Sequence, residues 1–139
     1  MSGHERSVQR SEDEWARILS PQEFHVLRRG GTEPPGTGEH TDNSAEGTYC
    51  CAGCSSELFT SRTKFPTGCG WPAFYEPIDR NAVEYLEDTS HGMTRTEVRC
   101  ASCGSHLGHV FVGEGYGTPT DRRYCVNSIS LRFNRADQD

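Results

Sequence analysis

Two cysteine pairs with identical spacing constrain the fold of this chain most strongly. Cys51 and Cys54 form one Cys-x-x-Cys motif, and Cys100 and Cys103 form a second. Each motif can place two thiolates on one ion, and the two motifs together supply the four sulfur ligands of a tetrahedral zinc site. Because four protein ligands leave no open coordination position, the motifs predict one structural Zn²⁺ per chain rather than a catalytic ion.

The gap between the two motifs indicates an inserted folded segment. Forty-five residues (55–99) separate Cys54 from Cys100, whereas the common zinc template has about 15–20. Closing the longer loop costs only about 0.9 kcal/mol more in chain entropy. A structural zinc contributes on the order of 10–16 kcal/mol, so the long gap does not prevent a shared site.

The residues alone leave other assignments of these cysteines open. Cys50 directly precedes the first motif and could take the place of Cys51 as a ligand. His106 and His109 follow the second motif and would allow a site of three cysteines and one histidine. The motifs could also be two independent redox or buried pairs, and an iron–sulfur centre is a further alternative.

Two capping motifs predict two short helices near the N-terminus. Ser11 and Ser20 are each followed three residues later by a glutamate, the spacing at which the two side chains cap the start of a helix. Pro21 fits the first position of the second helix. We expect the first helix to bury an apolar face made of Trp15, Ile18 and Leu19.

Alternating side chains predict antiparallel strands in the rest of the chain. Apolar and polar residues alternate over residues 94–100 and again over residues 129–134, the period of a strand with one buried face. Residues 113–123 are rich in glycine and predict a loop that leads to Cys125. The patterns therefore indicate a mainly β domain that carries two N-terminal helices.

Length and charge favour a small soluble domain. The chain has 139 residues, and we expect one domain over residues 11–134 with flexible tails at residues 1–10 and 135–139. A net charge of −6 opposes binding to nucleic acid or an anionic membrane. No apolar run is long enough to span a membrane, and the N-terminus lacks the apolar core of a secretory signal. We expect a cytoplasmic monomer.

Three cysteines lie outside the two motifs, and two of them are candidates for chemistry. Two arginines precede Cys125 and would favour its thiolate form, the nucleophilic one, although a buried strand cysteine fits the pattern equally well. Glycines flank Cys69 and predict a turn that could bring its thiol to another sulfur. Histidine side chains can act as acids near neutral pH, so His106 and His109 could protonate a leaving oxygen. Cys50 carries no such signal.

Short blocks of sequence stand out at residues 68–74 (GCGWPAF), 106–111 (HLGHVF) and 123–128 (RYCVNS). They resemble the signature blocks of B-type methionine sulfoxide reductases, and residues 24–38 and 90–93 look like further blocks of that family. The resemblance spans about residues 14–133. It implies a compact antiparallel β fold of two sheets with short N-terminal helices. It also implies reduction of methionine-R-sulfoxide in proteins and peptides, with thioredoxin as the reductant.

The resemblance also implies roles for individual residues. The two Cys-x-x-Cys motifs match the zinc-containing form of the family, which supports the four ligands named above. Cys125 falls on the position of the nucleophile, and Cys69 falls on the usual resolving position. The other matching positions are active-site residues His106, His109 and Asn127, the aromatic wall Trp71 for the substrate methyl group, and the active-site arginine Arg123.

The sequence departs from the family pattern at a few positions. Ala73 stands where the family often has serine, and Gly36 stands where it often has phenylalanine. Cys50 is an additional thiol, so resolution by Cys69 alone stays open. A non-enzymatic zinc-stabilised β module that binds a small ligand or protein partner is the alternative function. Cys125 and the two histidines favour the enzyme, because a binding module has no need of a reactive thiol.

Overall fold

The computed structural model describes residues 8–136, apart from the side chain of His91. Within these residues, two short α-helices precede eight strands that form two antiparallel sheets. The expected mainly β fold with N-terminal helices is therefore confirmed. The elements are α1 (Glu12–Ile18), α2 (Pro21–Leu27), β1 (Gly47–Cys51), β2 (Glu57–Thr60), β3 (Ala73–Phe74), β4 (Val83–Asp88), β5 (Arg95–Cys100), β6 (His106–Val112), β7 (Arg122–Val126) and β8 (Leu131–Arg135).

Both helices begin at the predicted capping serines. Ser11 and Ser20 accept hydrogen bonds from the backbone three residues later, and the glutamates there bond back to the serine amides. Trp15 and Leu19 are buried as expected, but Ile18 is 52% exposed, so its predicted burial is wrong. The reason is the shortness of α1: the chain leaves the helix at Leu19 in an extended conformation, and Leu19 completes the buried face.

The two sheets pack around one aromatic core. One sheet has the strand order β2-β1-β8, and the other has the order β3-β7-β6-β5-β4. Phe59 of the first sheet stacks on Phe74 of the second, with ring centroids 4.4 Å apart. Tyr49 meets the edge of Phe74 at 5.1 Å. Burial of such large rings is the main source of stability in a domain of this size.

The last strand begins later than the alternation of residues 129–134 predicts. Residues Ser128–Ser130 form a 3-10 turn, and β8 starts at Leu131. The backbone amides of Ser128 and Ile129 donate to the carboxylate of Glu33 at 2.9 and 2.8 Å. These bonds draw the amides out of any strand ladder, which explains why the predicted strand start is wrong.

The ends of the described region lie close to the expected tails. Of the residues expected to form tails, 1–7 and 137–139 lie outside the described residues. The backbone amide of Val8 donates to the carbonyl of Ser102 at 2.8 Å. In the described part of the chain, no helix has the length and apolar character needed to cross a membrane.

Candidate active site and metal centre

Four cysteine sulfurs converge where the two sheets meet. The Sγ atoms of Cys51, Cys54, Cys100 and Cys103 all lie within 4.8 Å of one another. The Cys51–Cys103 and Cys54–Cys100 separations are 3.7 and 3.6 Å. These distances are too long for a disulfide bond of about 2.05 Å, and they match the edge of about 3.8 Å of a tetrahedron with Zn–S bonds of about 2.3 Å. The four residues therefore fit a zinc ion.

The two Cys-x-x-Cys turns have the same backbone geometry. The amide of Ser55 donates to the carbonyl of Cys51 at 2.8 Å, and the amide of Gly104 donates to the carbonyl of Cys100 at 2.8 Å. Ser55 and Gly104 both have positive φ, 68° and 78°. Because β1 ends at Cys51 and β5 ends at Cys100, a shared ion would join the two sheets.

Polar groups surround the sulfurs. The hydroxyl of Ser105 lies 3.0 Å from the sulfur of Cys103. The guanidinium of Arg28 donates to the carbonyl of Cys103 at 3.0 Å and to the hydroxyl of Ser105 at 3.1 Å. Four thiolates around a divalent ion leave a net negative charge, which this nearby cation would stabilise.

The other candidate ligands lie elsewhere. The sulfur of Cys50 accepts a hydrogen bond from the side-chain amide of Asn134 at 3.4 Å and is not one of the four clustered sulfurs. His106 bonds to Glu97 on the neighbouring strand β5, and His109 bonds to Asp88 on β4, one strand further away. The structure therefore supports the ligand set of four cysteines over the alternatives that include Cys50 or a histidine.

A second pair of sulfurs lies in the five-stranded sheet and its adjoining loop. The Sγ atoms of Cys69 and Cys125 are 3.9 Å apart. Cys125 lies in β7 opposite Ala73 of β3, and Cys69 belongs to the glycine-flanked turn that precedes β3. Both side chains are half-buried. Formation of a disulfide requires these sulfurs to approach by only about 2 Å.

The contact between these sulfurs shifts the pKa of both thiols. The hydrogen bond with Cys125 lowers the pKa of Cys69 to about 5. The same bond and burial raise the pKa of Cys125, and the charge of Arg123 opposes that rise. Physically, the first proton leaves the pair easily because the remaining S–H group stabilises one thiolate. The pair therefore carries one thiolate at neutral pH.

Only one of the two preceding arginines faces the pair. Arg123 is oriented by two hydrogen bonds to Glu114, at 2.7 and 3.1 Å, and stacks on Phe111 with its guanidinium carbon 4.4 Å from the ring centroid. Arg122 instead donates to the hydroxyl of Tyr124 at 3.5 Å. Alternate residues of a strand point to opposite faces, which separates the two arginines.

A row of paired residues carries the reactive groups across the sheet. Cys125 of β7 pairs with His109 of β6, and His109 pairs with Glu97 of β5. Directly paired residues project from the same face. Beside this row lies a small pocket of about 90 Å³. Four of the predicted site residues line this pocket: Trp71, His109, Cys125 and Asn127. The rest of its lining is Thr32, Arg95, Gly108 and Phe111.

Each histidine is bound to a carboxylate that sequence reasoning missed. Nδ1 of His106 lies 2.6 Å from Oε2 of Glu97, and Nε2 of His109 lies 2.8 Å from Oδ2 of Asp88. Burial lowers the pKa of His109, and the bond to Asp88 partly offsets this. Hydrogen bonds from Ser90 and His109 hold the pKa of Asp88 well below its usual range. His106 is buried and does not line the small pocket.

The backbone of Glu33, a residue that was also missed, holds Trp71 and Asn127 in place. The indole N–H of Trp71 donates to the backbone carbonyl of Glu33 at 3.0 Å, and the amide of Glu33 donates to Oδ1 of Asn127 at 3.0 Å. The side-chain amide of Asn127 also donates to the carbonyl of Leu107 at 3.1 Å. Asn127 is thus bonded to the backbone rather than to the histidines. Glu33 lies in an irregular segment, where no periodic pattern marks it.

Comparison with known proteins identifies the family of this chain. Residues 19–135 match the SelR domain. The chain is 58% identical over 134 residues to peptide methionine sulfoxide reductase MsrB of Leifsonia xyli subsp. xyli, a match that covers 96% of each chain. Two rice proteins (Oryza sativa subsp. japonica) are also similar. Peptide methionine sulfoxide reductase B3, chloroplastic, is 57% identical over 133 residues, 96% of this chain and 57% of the rice protein. Peptide methionine sulfoxide reductase B5 is 51% identical over 135 residues, 97% of each chain. Since the domain match covers most of the chain, the protein belongs to the SelR-domain family of B-type peptide methionine sulfoxide reductases.

Proposed function

We propose that this protein reduces methionine-R-sulfoxide in proteins and peptides to methionine, with thioredoxin as the final reductant. The observation that carries the proposal is the thiol pair of Cys69 and Cys125, 3.9 Å apart. Cys125 opens on a pocket that also contains Trp71 and His109. A thiolate, a second thiol, a proton donor and an aromatic wall are the groups that thiol-dependent reduction of a methyl sulfoxide requires.

In the first step, Cys125 passes its proton across the sulfur contact to Cys69, and the thiolate so formed attacks the sulfoxide sulfur. The S–O bond of the substrate breaks, methionine leaves, and the oxygen becomes the hydroxyl of a sulfenic acid on Cys125. The oxygen is a poor leaving group unless it is protonated, so His109 supplies a proton from the wall of the pocket. Arg123 favours the attacking thiolate through its charge.

In the second step, Cys69 attacks the sulfenic sulfur of Cys125. A disulfide forms and the hydroxyl leaves as water after taking up a second proton. Thioredoxin then reduces the disulfide through a mixed disulfide and restores both thiols. The half-buried position of Cys69 on a turn supports its role as the thiol that meets the reductant.

The pocket offers a basis for selecting one epimer. Its volume of about 90 Å³ has room for little more than the methylsulfoxide group of the substrate. Trp71 presents an aromatic wall, and contacts between sulfur and an aromatic ring contribute about 0.3–1.5 kcal/mol. When the methyl group lies against this wall, only one configuration at sulfur directs the oxygen toward His109.

Some properties of the working protein also belong to this proposal. We propose Zn²⁺ as the ion of the cysteine cluster, because four sulfur ligands and tetrahedral spacing favour it. None of the seven cysteines forms a disulfide in the structure, which fits a reducing cytoplasm, where the protein would act as a monomer in the repair of oxidative damage.

An assay with separate epimers tests the function. Thioredoxin, thioredoxin reductase and NADPH are supplied with a peptide that contains either the R or the S sulfoxide. We expect turnover of the R epimer only, and we expect Cys125→Ser to abolish it. Cys69→Ser should allow one turnover and then stall, and sustained turnover in that variant would shift resolution to Cys50 or to direct reduction. No turnover of either epimer by zinc-loaded, fully reduced protein would favour the non-enzymatic binding module.

A further inference from the structure

A polar cleft of about 540 Å³ adjoins the small pocket and shares Thr32, Arg95 and His109 with it. His106 lines this cleft but not the pocket. His109 therefore stands between the reacting thiol and a larger, water-accessible space. The charged groups that face the cleft come from the segment after α2, from β4 and from β5: Arg28, Arg29, Asp88, Arg95, Glu97 and Arg99.

Two buried nitrogen atoms of residues that line this cleft have no partner among the described residues. They are Nε2 of His106 and Nε of Arg95. The side chain of His106 is only 6% exposed, and its other nitrogen is already bound to Glu97. Buried polar groups in proteins are almost always hydrogen-bonded to protein or to ordered water. We therefore expect a small hydrogen-bonding molecule to bind to Nε2 of His106 in the cleft.

The proposed reaction requires a supply of protons to this region. Reduction of one sulfoxide by two thiols yields one sulfide, one disulfide and one water, so the oxygen receives a proton in each of the two steps. The reduced pair carries one thiolate and one thiol, so it supplies only one of these protons, and the other must reach His109 from solution for each sulfoxide reduced. Its Nε2 is held by Asp88, which leaves Nδ1 to exchange protons. No hydrogen bond in the described region joins His106 to His109, whose ring centroids are 5.6 Å apart, so a bridging molecule is needed.

Resting on the proposed reductase function, we propose that this cleft is the proton-entry site of the active site. It binds water, or a small weak acid from solution, against Nε2 of His106 and passes protons to His109. Glu97 is a positioning residue, because its carboxylate accepts the Nδ1–H of His106 and so directs the unprotonated Nε2 toward the cleft. Asp88 has the same role for His109.

The test compares two substitutions of glutamate by glutamine. Glu97→Gln removes the charge that positions His106, and Glu87→Gln is the matched control, because Glu87 is exposed on β4. Single-turnover reduction of the R-sulfoxide peptide is measured without thioredoxin from about pH 5 to 9. General acids typically contribute about 10²–10⁴-fold, so we expect Glu97→Gln to slow the reaction by about tenfold or more. The loss should be greatest at high pH and partly relieved by added imidazole, while Glu87→Gln stays within about twofold of the wild type.

Measurements of zinc content and melting temperature identify any variant that has lost its fold. A further measurement uses the wild type and does not depend on the folding of a variant. Nitrogen-15 NMR of the histidines at alkaline pH should show the Nδ1–H tautomer for His106, and the Nε2–H tautomer would overturn the proposal. A Glu97→Gln rate and pH profile equal to those of the wild type would also overturn it, as would a loss that is uniform with pH and unaffected by small acids. Absence of R-sulfoxide reduction by the wild type would instead contradict the reductase function itself.

Discussion

His106 and His109 lie on the same face of β6, with ring centroids 5.6 Å apart, although residues three apart on a regular strand point to opposite faces. The pairing of β5 with β6 explains this. Val98 pairs with Gly108, but the next residue, Arg99, pairs with His106, so one extra residue is accommodated in β6. Such a bulge rotates the strand by one side-chain position. It therefore creates the two neighbouring carboxylate–histidine pairs.

Substitution of Gly108 tests the close packing beside this bulge. A Cβ atom at this position would overlap the backbone carbonyl oxygen of Cys125. We expect Gly108→Ala to push β7 away from β6 and to lower kcat/KM about 100-fold, since a displacement of about 1 Å in an active site has an effect of that size. The control is Gly113→Ala, where nothing lies within 4 Å of a Cβ and the only cost is that of a Cβ atom at a φ of 79°, so it reports backbone strain without overlap. Equal activity of the two variants would contradict the prediction.

The pH dependence of alkylation tests the shared thiolate. The pKa of Cys69, lowered to about 5 by its contact with Cys125, means that one thiolate of the pair is present above about pH 5. Iodoacetamide should therefore modify the pair at pH 6 to 7, where an ordinary thiol reacts slowly. In Cys125→Ala the stabilising S–H group is gone, so the midpoint for Cys69 should rise by more than one pH unit. An unchanged midpoint would show that the sulfur contact is not the cause.

The acid role of His109 predicts a rate that falls as pH rises. Burial lowers its pKa below the ordinary value of 6.5, and the protonated form that donates to oxygen exists only below that pKa. Single-turnover rates should therefore decline as pH increases through the range below about 6.5. Asp88 raises the pKa of His109, so Asp88→Asn should move this decline to lower pH. A shift to higher pH would refute the assigned role of Asp88.

Two substitutions of cysteine by serine, one in the cysteine cluster and one at Cys50, test metal binding as a matched pair. Cys103→Ser removes a ligand, whereas Cys50→Ser changes a buried sulfur outside the cluster. A structural zinc contributes on the order of 10–16 kcal/mol, about the whole stability of a domain of 5–15 kcal/mol. We therefore expect Cys103→Ser to lose the ion and unfold at ordinary temperature. Cys50→Ser should retain one zinc by elemental analysis, and equal loss in both variants would place Cys50 among the ligands.

The two equivalent turns predict a stabilising substitution. Ser55 has a φ of 68° where the other turn has a glycine with a φ of 78°. A left-handed backbone conformation destabilises a residue with a Cβ atom by about 1–2 kcal/mol. The greater conformational freedom of glycine in the unfolded chain offsets about 0.4–1 kcal/mol of the gain from removing that strain. Ser55→Gly should thus stabilise the zinc-bound protein by about 0.5–1 kcal/mol in denaturant unfolding. Gly104→Ser is the converse variant and should destabilise it.

Local features of the sequence predicted part of this structure correctly. The capping serines and the Cys-x-x-Cys motifs act over three or four residues, so their spacing is enough to place them. The loop that carries Cys69 was similarly marked by its glycines. The burial of Ile18 was predicted wrongly, because a one-residue difference in helix length decides which side chain turns inward.

The partners of the site residues could not be predicted in this way. Asp88 and Glu97 reach the histidines only through the register of three strands and the bulge in β6. Glu33 bonds to residues more than 90 positions away in the chain. A usable signal did exist for Glu97, since the charged residues that alternate along 95–99 mark the face of the strand that carries the site. The resemblance to a family named the reactive residues but not the groups that orient them.

The burial of the sulfurs affects the order in which peroxide oxidises them and inactivates the protein. Three of the four clustered residues, Cys51, Cys100 and Cys103, are 0%, 0% and 2% exposed, and the fourth, Cys54, is half-buried. Cys69 and Cys125 are also half-buried, and they share a thiolate. Oxidants react with accessible thiolates first. Early damage is therefore directed to the two sulfurs whose disulfide a dithiol can reverse, and the three buried sulfurs of the cluster are oxidised last. Mild inactivation should be recoverable, and permanent inactivation should coincide with release of the metal.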